Sequence, residues 1–372
     1  MNYSKINTIF TEGLSMFTKK NLSGAEALFE AQKIAFGPIV FQCARLLRDW
    51  GIFTLLQKNR SSMDAKEIAK ECELTLYATE ILCESGYSMG ALDFKNEKYS
   101  LTKIGYFLQN DEMTKANMNY NHDVNYLGLF YLDVSLKNQK PIGLHKAFKT
   151  DKSTIYPLLT KLPKKAKESW FGFDHFYSDA AFKTLVEIMA KKKIKMMLDI
   201  GGNTGKWAIA LTLASKQTTV TILDHQPQID EALQSAKTYG VENRVKGYPI
   251  DLLDHTLSFP SDVEAIWMSQ FLDCFGVNDI INILRRAKNA LHKNGKIYIV
   301  EPFWDRQSHE IGTYCLINTS PYFTALANGQ SKMYRASQFQ AFINQAGLEV
   351  EEQIDGLGFG HTLMICKIKD PR

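Results

Sequence analysis

The sequence has no cysteine pair in a C-x-x-C pattern, no long hydrophobic run and no strong excess of charge of one sign. Its six cysteines are scattered over 372 residues, which argues against a zinc site or a disulfide framework and is typical of reduced thiols. No stretch approaches the roughly 20 apolar residues of a membrane span. We therefore expect a cytoplasmic protein with no metal site and no membrane partner.

The balance of charge limits the partners further. The chain has 44 lysines and arginines against 40 aspartates and glutamates, a net charge of +4. So small an excess does not favour a nucleic acid as the main partner. With 45% hydrophobic residues the chain can bury a large core, and its length favours two domains over one.

Residues 1–112 are predicted to form a mostly helical N-terminal domain. Ser23 with Glu26 three positions later is a capping pair that predicts the start of a long helical region. A short helix, a second helix at Tyr77–Met89 and two short strands within Leu92–Leu101 follow. Helix, turn, helix and hairpin in this order are typical of a winged helix.

A winged helix can bind DNA or mediate association between subunits. The second helix and its surroundings carry Glu73, Glu80 and Glu84, with no lysine or arginine between Lys70 and Lys95. This helix has the wrong sign of charge to meet phosphates. The long apolar helix before it is better explained by pairing with a second copy, although an internal core helix would show the same pattern. We favour a homodimer.

Residues 113–190 are predicted to be a helical bridge that contributes to a substrate pocket. The segment 170–179 is unusually aromatic for a linker and also contains His175. Aromatic residues here either wall off a pocket or pack the junction between domains, and the sequence leaves both open.

Residues 191–372 alternate between strand and helix, which predicts a doubly wound α/β fold with a parallel sheet. An antiparallel pair is expected at its end. In such sheets the ligand lies across the carboxyl ends of the strands, where the strand order reverses. The predicted strands are Lys195–Ile200, Thr219–Leu223, Arg244–Tyr248, Val263–Met268, Lys296–Val300, Leu348–Ile354 and Thr362–Ile368, and the predicted helices are Thr204–Ser215, Pro227–Tyr239, Asn278–Leu291 and Ala336–Gln345.

The first strand of this domain ends at Asp199 and is followed by a turn with Gly201, Gly202 and Gly205. The turn alone is a weak signal, because it lacks the full G-x-G-x-x-G spacing of a dinucleotide site. Asp224 ends the second strand, where a carboxylate can accept hydrogen bonds from both ribose hydroxyls of a nucleoside. Asp199 would repel a pyrophosphate at the helix N-terminus but would suit an ammonium group, directly or through water.

Asp251 follows the third predicted strand and adds a third carboxylate to the same edge. Three carboxylates, with no obvious phosphate-binding lysine or arginine in the turn, predict a positively charged nucleoside as the cofactor. Asp199 or Asp251 alone could instead cap the turn that follows it.

In these segments the sequence resembles the class I S-adenosylmethionine-dependent methyltransferases. More narrowly, it is similar to the small-molecule O-methyltransferases that carry an N-terminal winged-helix dimerisation domain. The resemblance covers roughly residues 25–369. The matching segments are Leu198–Gly205 for the first motif, Leu223–Pro227 for an Asp-Leu-Pro segment, Ile250–Leu253 for Gly-Asp-Met-Phe, and Gly295–Glu301 for a strand after a glycine turn.

The resemblance implies a seven-stranded Rossmann-like domain that binds S-adenosyl-L-methionine. It implies transfer of the methyl group to a hydroxyl of a small acceptor that is aromatic or polyketide-like. The aspartate of Ile250–Leu253 is implied to contact the adenine amino group. The implied cofactor-binding residues are Asp199, Gly201, Gly202, Gly205, Asp224, Asp251, Leu252 and Ser269.

The catalytic segment departs from the family. The family uses a histidine as the base that takes the acceptor's proton, and Asp273 stands at that position here. Glu301 is similar to one of two glutamates that hold this histidine, and the second is replaced near Met333.

Asp273 as a base must overcome an unfavourable proton transfer. A carboxylate has an ordinary pKa of about 4, whereas phenol lies near 10. Asp273 could act if burial raises its pKa or if the acceptor is more acidic, and its alternative role is structural or orienting. His175 is a second candidate base. The missing histidine also leaves open a C- or N-methyltransferase and a non-catalytic, S-adenosylmethionine-binding regulator.

Overall fold

The computed structural model describes Phe17, residues 21–59 and residues 62–370. The chain divides into two compact units, one from Phe17 to Val124 and one from Asn125 onward. The helices and the sheet of residues 125–370 thus all belong to the second unit. The domain boundaries expected after residues 112 and 190 stay predictions. None of the described helices is long and apolar enough to cross a membrane.

The first unit is helical apart from one hairpin. Ser23 caps the first helix, because its hydroxyl accepts from the Glu26 N–H while the Glu26 carboxylate accepts from the Ser23 N–H. The predicted start of this helix is confirmed. The elements are α1 (Gly24–Ala35), α2 (Gly37–Asp49), α3 (Ile52–Asn59), α4 (Ala65–Glu71), α5 (Leu76–Ser88), β1 (Leu92–Lys95), β2 (Lys98–Leu101), α6 (Lys103–Asn110) and α7 (Glu112–Tyr120).

The second unit begins with short helices and one long one. The aromatic segment 170–179 lies inside this long helix and not in a linker, because between Lys164 and Lys191 there is no proline and only one glycine to interrupt it. Its later turns are buried through Ala181, Leu185 and Met189. The elements are a π-helical turn (Asn121–Asn125) at the junction, α8 (Tyr126–Leu129), α9 (Leu132–Asn138), α10 (Ile142–Phe148), a 3₁₀ turn (Tyr156–Lys161) and α11 (Lys164–Lys191).

A seven-stranded sheet forms the centre of the second unit, in the order β5-β4-β3-β6-β7-β9-β8. The strands β3 to β7 are parallel to one another, and β9 pairs antiparallel with both β7 and β8. The predicted fold is confirmed, including the antiparallel end. The strands are β3 (Met196–Ile200), β4 (Thr219–Asp224), β5 (Val245–Pro249), β6 (Val263–Ser269), β7 (Leu291–Pro302), β8 (Leu348–Leu357) and β9 (His361–Ile368).

Helices cover both faces of the sheet. The sequence did not predict α15 or the turn after it, where polar and apolar residues follow no clear helical period. The helices are α12 (Lys206–Ala214), α13 (Gln226–Thr238), α14 (Val277–Ala290), α15 (Glu310–Tyr322) with a π-helical turn (Phe323–Ala327), and α16 (Ala336–Gln345), with short 3₁₀ turns at Leu272–Cys274 and Trp304–Arg306.

Alternate strand residues supply two hydrophobic cores. One core packs α14 and α16 against side chains such as Leu198 and Ile266, and the other packs α11, α12 and α13 against side chains such as Met197 and Trp267. The strand order reverses at β3, between β4 and β6. The carboxyl ends of the parallel strands meet at one edge there, which is where this fold places a ligand.

Candidate functional site

Asp199 lies at the carboxyl end of β3 and is only 3% exposed. Its Oδ2 has no hydrogen-bond partner among the described residues. Burial, with a smaller effect from Asp224, raises the pKa of this carboxyl to about 8. A buried carboxylate oxygen without a hydrogen-bond partner costs free energy. A bound molecule that donates a hydrogen bond to Asp199 Oδ2 would remove this cost.

The glycine turn after β3 keeps the space beside Asp199 open. A Cβ on Gly202 would lie 2.6 Å from the Asp199 Oδ2, which no side chain tolerates. Gly205 directly precedes α12 and has a φ of +76°, a backbone conformation that favours glycine. Glycine is therefore required at position 202 by the close approach of the Asp199 side chain, and it is favoured at position 205 by the backbone conformation.

Asp224 ends β4 and is half-buried. Its Oδ2 accepts from the Asn203 N–H at 2.9 Å and its Oδ1 accepts from the His225 N–H at 2.7 Å. Burial raises the pKa of Asp224, and the two N–H donors oppose that rise. The backbone thus fixes the carboxylate beside the glycine turn while leaving lone pairs for further donors.

The loop after β5 carries Asp251, whose Oδ1 accepts from the Leu253 N–H at 2.9 Å, so this carboxylate does cap its own turn. The loop is anchored by a residue that the sequence did not predict. Arg286 of α14 donates to the carbonyl of Leu252, to that of Asp254 at 3.0 Å and to that of Leu257 at 3.2 Å. The sequence did not predict this role of Arg286, because an arginine in a helix forms no motif that indicates contacts with a distant loop.

Arg286 is itself buried, and its guanidinium lies 4.6 Å from the centre of the Phe259 ring. It therefore holds the loop that presents Asp251 and Leu252. Ser269, the last residue of β6, is half-buried at the same edge of the sheet.

Asp273 lies on the 3₁₀ turn directly after β6 and is 7% exposed. Burial raises the pKa of its carboxyl to about 6, and the charge of Asp174 contributes to the rise. The Cys274 thiol donates a weak hydrogen bond to Asp273 Oδ1 at 3.5 Å, and this hydrogen bond opposes the rise in pKa. The structure thus supplies the raised pKa that a base at this position requires.

Glu301 fixes the turn that carries Asp273. It lies on β7, is 1% exposed, and its Oε1 accepts from the N–H groups of Phe271 at 3.1 Å and of Leu272 at 2.8 Å. Its Oε2 has no partner among the described residues. Burial, followed by the charge of Asp273, raises the pKa of Glu301 well above its usual value. These contacts support a positioning role for Glu301.

On helix α11 it is Asp174, and not its neighbour His175, whose charge contributes to the raised pKa of Asp273. His175 is exposed and its ring contacts Phe171. Asp174 lies one turn after Trp170, whose Nε1 donates to the Tyr322 hydroxyl at 2.8 Å. Asp174 was missed in the sequence because a single aspartate in an aromatic segment gives no motif.

Together these residues form two adjoining parts of one site. The first part, around Asp199 and Asp224, offers carboxylates to a molecule that carries positive charge and hydroxyls. The orphaned Asp199 oxygen and the space that Gly202 leaves beside it fit the ammonium group of S-adenosylmethionine. The second part, around Asp273 and Glu301, offers a carboxyl with a raised pKa.

Two family models match the sequence. The Dimerisation2-like domain matches residues 29–99, and the O-methyltransferase domain matches residues 175–349, which include Asp199, Asp224, Asp273 and Glu301. The chain is an S-adenosylmethionine-dependent methyltransferase with an O-methyltransferase domain. S-adenosylmethionine is accordingly its cofactor.

Two curated relatives of this methyltransferase are named as methyltransferases that act on carbon. The chain is 24% identical over 331 residues to L-tyrosine C(3)-methyltransferase of Streptomyces lavendulae, covering 88% of each chain. It is 22% identical to bacteriochlorophyllide d C-20 methyltransferase of Chlorobaculum tepidum, covering 76% of this chain and 83% of the relative.

Solved structures share the fold. The S-adenosylmethionine-dependent methyltransferase SibL aligns with a TM-score of 0.69 at 20% identity, over 92% of this chain and 99% of SibL.

Proposed function

We propose that this methyltransferase moves a methyl group from S-adenosylmethionine to a hydroxyl of a small aromatic acceptor, with Asp273 as the base. The observation that carries the proposal is the buried Asp273 carboxyl, whose pKa burial raises to about 6, on a turn that Glu301 fixes. His175 is exposed, which makes it the weaker candidate for the base.

We assign the cofactor to the first part of the site. Asp199 would bind the ammonium group, Asp224 the ribose hydroxyls and Asp251 the adenine amino group, with Leu252 and Ser269 beside them. Because Gly201, Gly202 and Gly205 have no side chain, the backbone of this turn would come close to the cofactor. Bound S-adenosylmethionine supplies an electrophilic methyl group on a positively charged sulfur.

Asp273 would hold the acceptor's proton while the acceptor oxygen forms its new bond. Burial raises the pKa of the Asp273 carboxyl from about 4 to about 6, whereas the pKa of a phenol lies near 10. The difference between the two pKa values therefore becomes smaller by about 2, and the proton transfer becomes easier by about 3 kcal/mol. The rest of the barrier would be lowered by placing the oxygen in line and excluding water, as the burial of Asp273 and Glu301 allows.

Methylation of a ring carbon is the second candidate function. It is favoured by the two relatives described above, because each is named as a carbon methyltransferase and each matches most of this chain. Removing a phenolic proton also makes the ring carbons beside the oxygen nucleophilic. The same Asp273 carboxyl would therefore serve either reaction, and in methylation of carbon the ring proton at that carbon would move to the oxygen as the ring becomes aromatic again.

We also propose that the protein is a homodimer through residues 1–112, as a winged-helix dimerisation domain. The helix α1 buries none of its residues, and Ile34 on it is 81% exposed. Leu28 and Phe29 are exposed on the same helix. A second copy of this chain would cover these side chains. Light scattering should show a dimer that Ile34→Glu dissociates and Glu30→Gln leaves intact, and a monomeric wild type would contradict the proposal.

Residues 113–190 would form the helical bridge of the substrate pocket, and residues 191–372 the catalytic domain. We place the enzyme in the cytoplasm, since none of the six cysteines, all of which lie in the described part of the chain, forms a disulfide.

The test of the reaction uses S-adenosylmethionine with a deuterated methyl group and a panel of phenols together with a cell extract of small molecules. Mass spectrometry should detect a deuterated methyl product. An intact ring-proton pattern in its NMR spectrum indicates methylation of oxygen, and loss of a ring proton indicates methylation of carbon. Absence of any labelled product, although S-adenosylhomocysteine binds, would contradict the proposed reaction.

A further inference from the structure

We infer that Asn328 is a positioning residue for the base, because its side-chain amide holds one end of the turn that carries Asp273. This turn, residues 271–275, lies between β6 and α14 and is named the base turn here. The inference rests on the proposed function, since it names a further residue that serves the same site.

The base turn has weak backbone bonding of its own. The Cys274 N–H donates to the Phe271 carbonyl at 3.2 Å, and the Phe275 N–H donates to the Leu272 carbonyl, also at 3.2 Å. Both distances are long for such bonds, as is usual in a 3₁₀ turn. Gln270, directly before it, has a φ of +48°, a left-handed backbone that persists only where its surroundings impose it. Other elements must therefore fix the shape of the base turn.

Side chains from separate elements hold the two ends of the base turn. Glu301 of β7 holds its beginning through two backbone N–H groups. At its other end, Asn328 Nδ2 donates to the Cys274 carbonyl at 2.7 Å. The Tyr334 hydroxyl donates to the Phe275 carbonyl at 3.0 Å. The proposed base thus lies between two anchored ends.

The hydrogen bonds of the Asn328 side chain fix the direction of its amide. Its Oδ1 accepts from the Gln330 N–H at 2.8 Å and from the Ser331 N–H at 2.9 Å. Its Nδ2 donates to the Ser331 hydroxyl at 2.7 Å as well as to the Cys274 carbonyl. Because backbone N–H groups can only donate, they keep the amide oxygen on their side and the nitrogen towards Cys274.

The backbone around Asn328 is also firmly held. The N–H groups of Asn328 and Gly329 both donate to the Phe323 carbonyl, at 3.0 and 2.9 Å. Gly329 has a φ of +88°, and a Cβ there would lie 2.5 Å from the Lys140 Cα. A residue that positions another must itself be rigid, and Asn328 meets this requirement.

The two halves of the Asn328 amide have separable roles. The Oδ1 contacts shape its own loop, whereas the Nδ2 contact reaches a carbonyl 54 residues away, next to Asp273. A misplacement of about 1 Å at a reacting group can cost about 100-fold in rate. Loss of the Nδ2 donor should therefore lower kcat, while cofactor binding around Asp199 and Asp224 stays intact.

Asn328→Asp separates these roles, because a carboxylate still accepts from the Gln330 and Ser331 N–H groups but offers no donor to Cys274. Hydrogen exchange is measured by mass spectrometry on the full-length protein saturated with S-adenosylhomocysteine. Amides of the base turn should exchange about tenfold faster than in the wild type. With the phenol of the panel that the wild type methylates fastest, kcat should fall about 10- to 100-fold. KM and the affinity for S-adenosylhomocysteine should stay within about twofold.

Asn318→Asp is the matched control. The Asn318 amide, exposed on α15, also donates to a carbonyl, that of Tyr314 at 2.8 Å, and it has no bond to the base turn. This variant should match the wild type in exchange and in kcat. Asn328→Ser keeps a hydroxyl that can accept from the loop N–H groups but is too short to reach Cys274. It should reproduce the losses without an added charge, and it decides the test where Asn328→Asp does not fold.

Unchanged exchange of the base turn in the Asn328 variants, or an unchanged kcat, would overturn the inference. Equal losses in Asn318→Asp, weaker S-adenosylhomocysteine binding in step with kcat, or failure of both Asn328 variants to fold would also overturn it, because each assigns Asn328 to the fold as a whole. Absence of any labelled product from the wild type would instead contradict the proposed function. The exchange of the base turn would then still decide whether Asn328 holds it.

Discussion

Asp199 and Asp273 are two buried carboxyls at the same edge of one sheet, and they differ in how the chain builds their surroundings. Asp199 is set by its own sequence neighbours, since the turn that opens space beside it follows within three residues. Asp273 is set by distant residues, because Glu301 of β7 holds its turn and Asp174 of α11 acts on its charge.

The difference shows how the two parts of the site can vary. The part around Asp199 depends on backbone geometry, which few substitutions can change without blocking the site. The part around Asp273 depends on side chains from separate elements, each of which can be exchanged while the fold persists. A single cofactor with many acceptors is what such an arrangement permits.

The largest expected effect separates the base from the binding residues. Asp273→Asn should lower kcat by about 10²- to 10⁴-fold while S-adenosylhomocysteine still binds, because it removes the proton acceptor alone. In the wild type, kcat/KM should rise with pH through about 6, since the carboxyl must lose its proton before it can act. Steady-state kinetics across pH measures both.

The control for this variant is Asp262→Asn, an exposed position just before the other end of β6. Its kinetics should match the wild type. Near-normal turnover of Asp273→Asn would remove Asp273 from the mechanism.

A second variant tests the opposite part of the site. Asp224→Ala should weaken S-adenosylhomocysteine by about 100-fold, or about 3 kcal/mol, because the ribose hydroxyls lose a charged acceptor. Calorimetry measures the affinity, with Asp230→Ala on the exposed side of α13 as the control. Unchanged affinity in Asp224→Ala would contradict the assignment of the cofactor site.

A third variant tests whether burial of Asp199 is a cost to the fold. The folded protein keeps the Asp199 proton up to about pH 8, whereas the unfolded chain releases it near pH 4. Stability without cofactor therefore falls as pH rises across this window. Asp199→Asn should melt several degrees higher than the wild type at pH 8 and yet bind S-adenosylhomocysteine at least tenfold more weakly.

Thermal unfolding at pH 5 and pH 8 measures this difference, which should be small at the lower pH. A variant that melts lower than the wild type at pH 8 would show that Asp199 stabilises the fold. In that case the burial of Asp199 would be explained by its contribution to stability, and no bound ligand would be needed to explain it.

The smallest expected effect concerns the loop that carries Asp251. Arg286→Met should lower the free energy of unfolding by about 2 kcal/mol, because three carbonyls lose their donor. S-adenosylhomocysteine should bind three- to tenfold more weakly. Arg285→Met is the matched control, since its guanidinium makes one exposed contact with the Gln345 carbonyl at 3.3 Å. Equal effects of both variants would remove Arg286 from the support of the site.

Most of the sheet could be predicted from the sequence because apolar runs and glycine turns are local signals. Each of the seven predicted strands corresponds to an observed strand, and the winding of helices around the sheet follows from their alternation. The prediction did not extend to α15, to the continuous α11 through the aromatic segment, or to the full length of β7. In these segments packing against neighbouring elements, and not local pattern, decides the structure.

The sequence alone was enough to predict a place for the cofactor, since Asp199 and Asp224 lie at the ends of strands that must meet in a parallel sheet and Gly202 follows the first of them. It also placed Asp273 where the family has its histidine. Only the tertiary structure decided that Asp273 is buried with a raised pKa, that Glu301 holds its turn, that the charge of Asp174 acts on it while His175 is exposed, and that Arg286 anchors the loop of Asp251. The reason is physical: a turn is dictated by residues next to one another, whereas burial and the field at a carboxyl are sums over elements that only folding brings together.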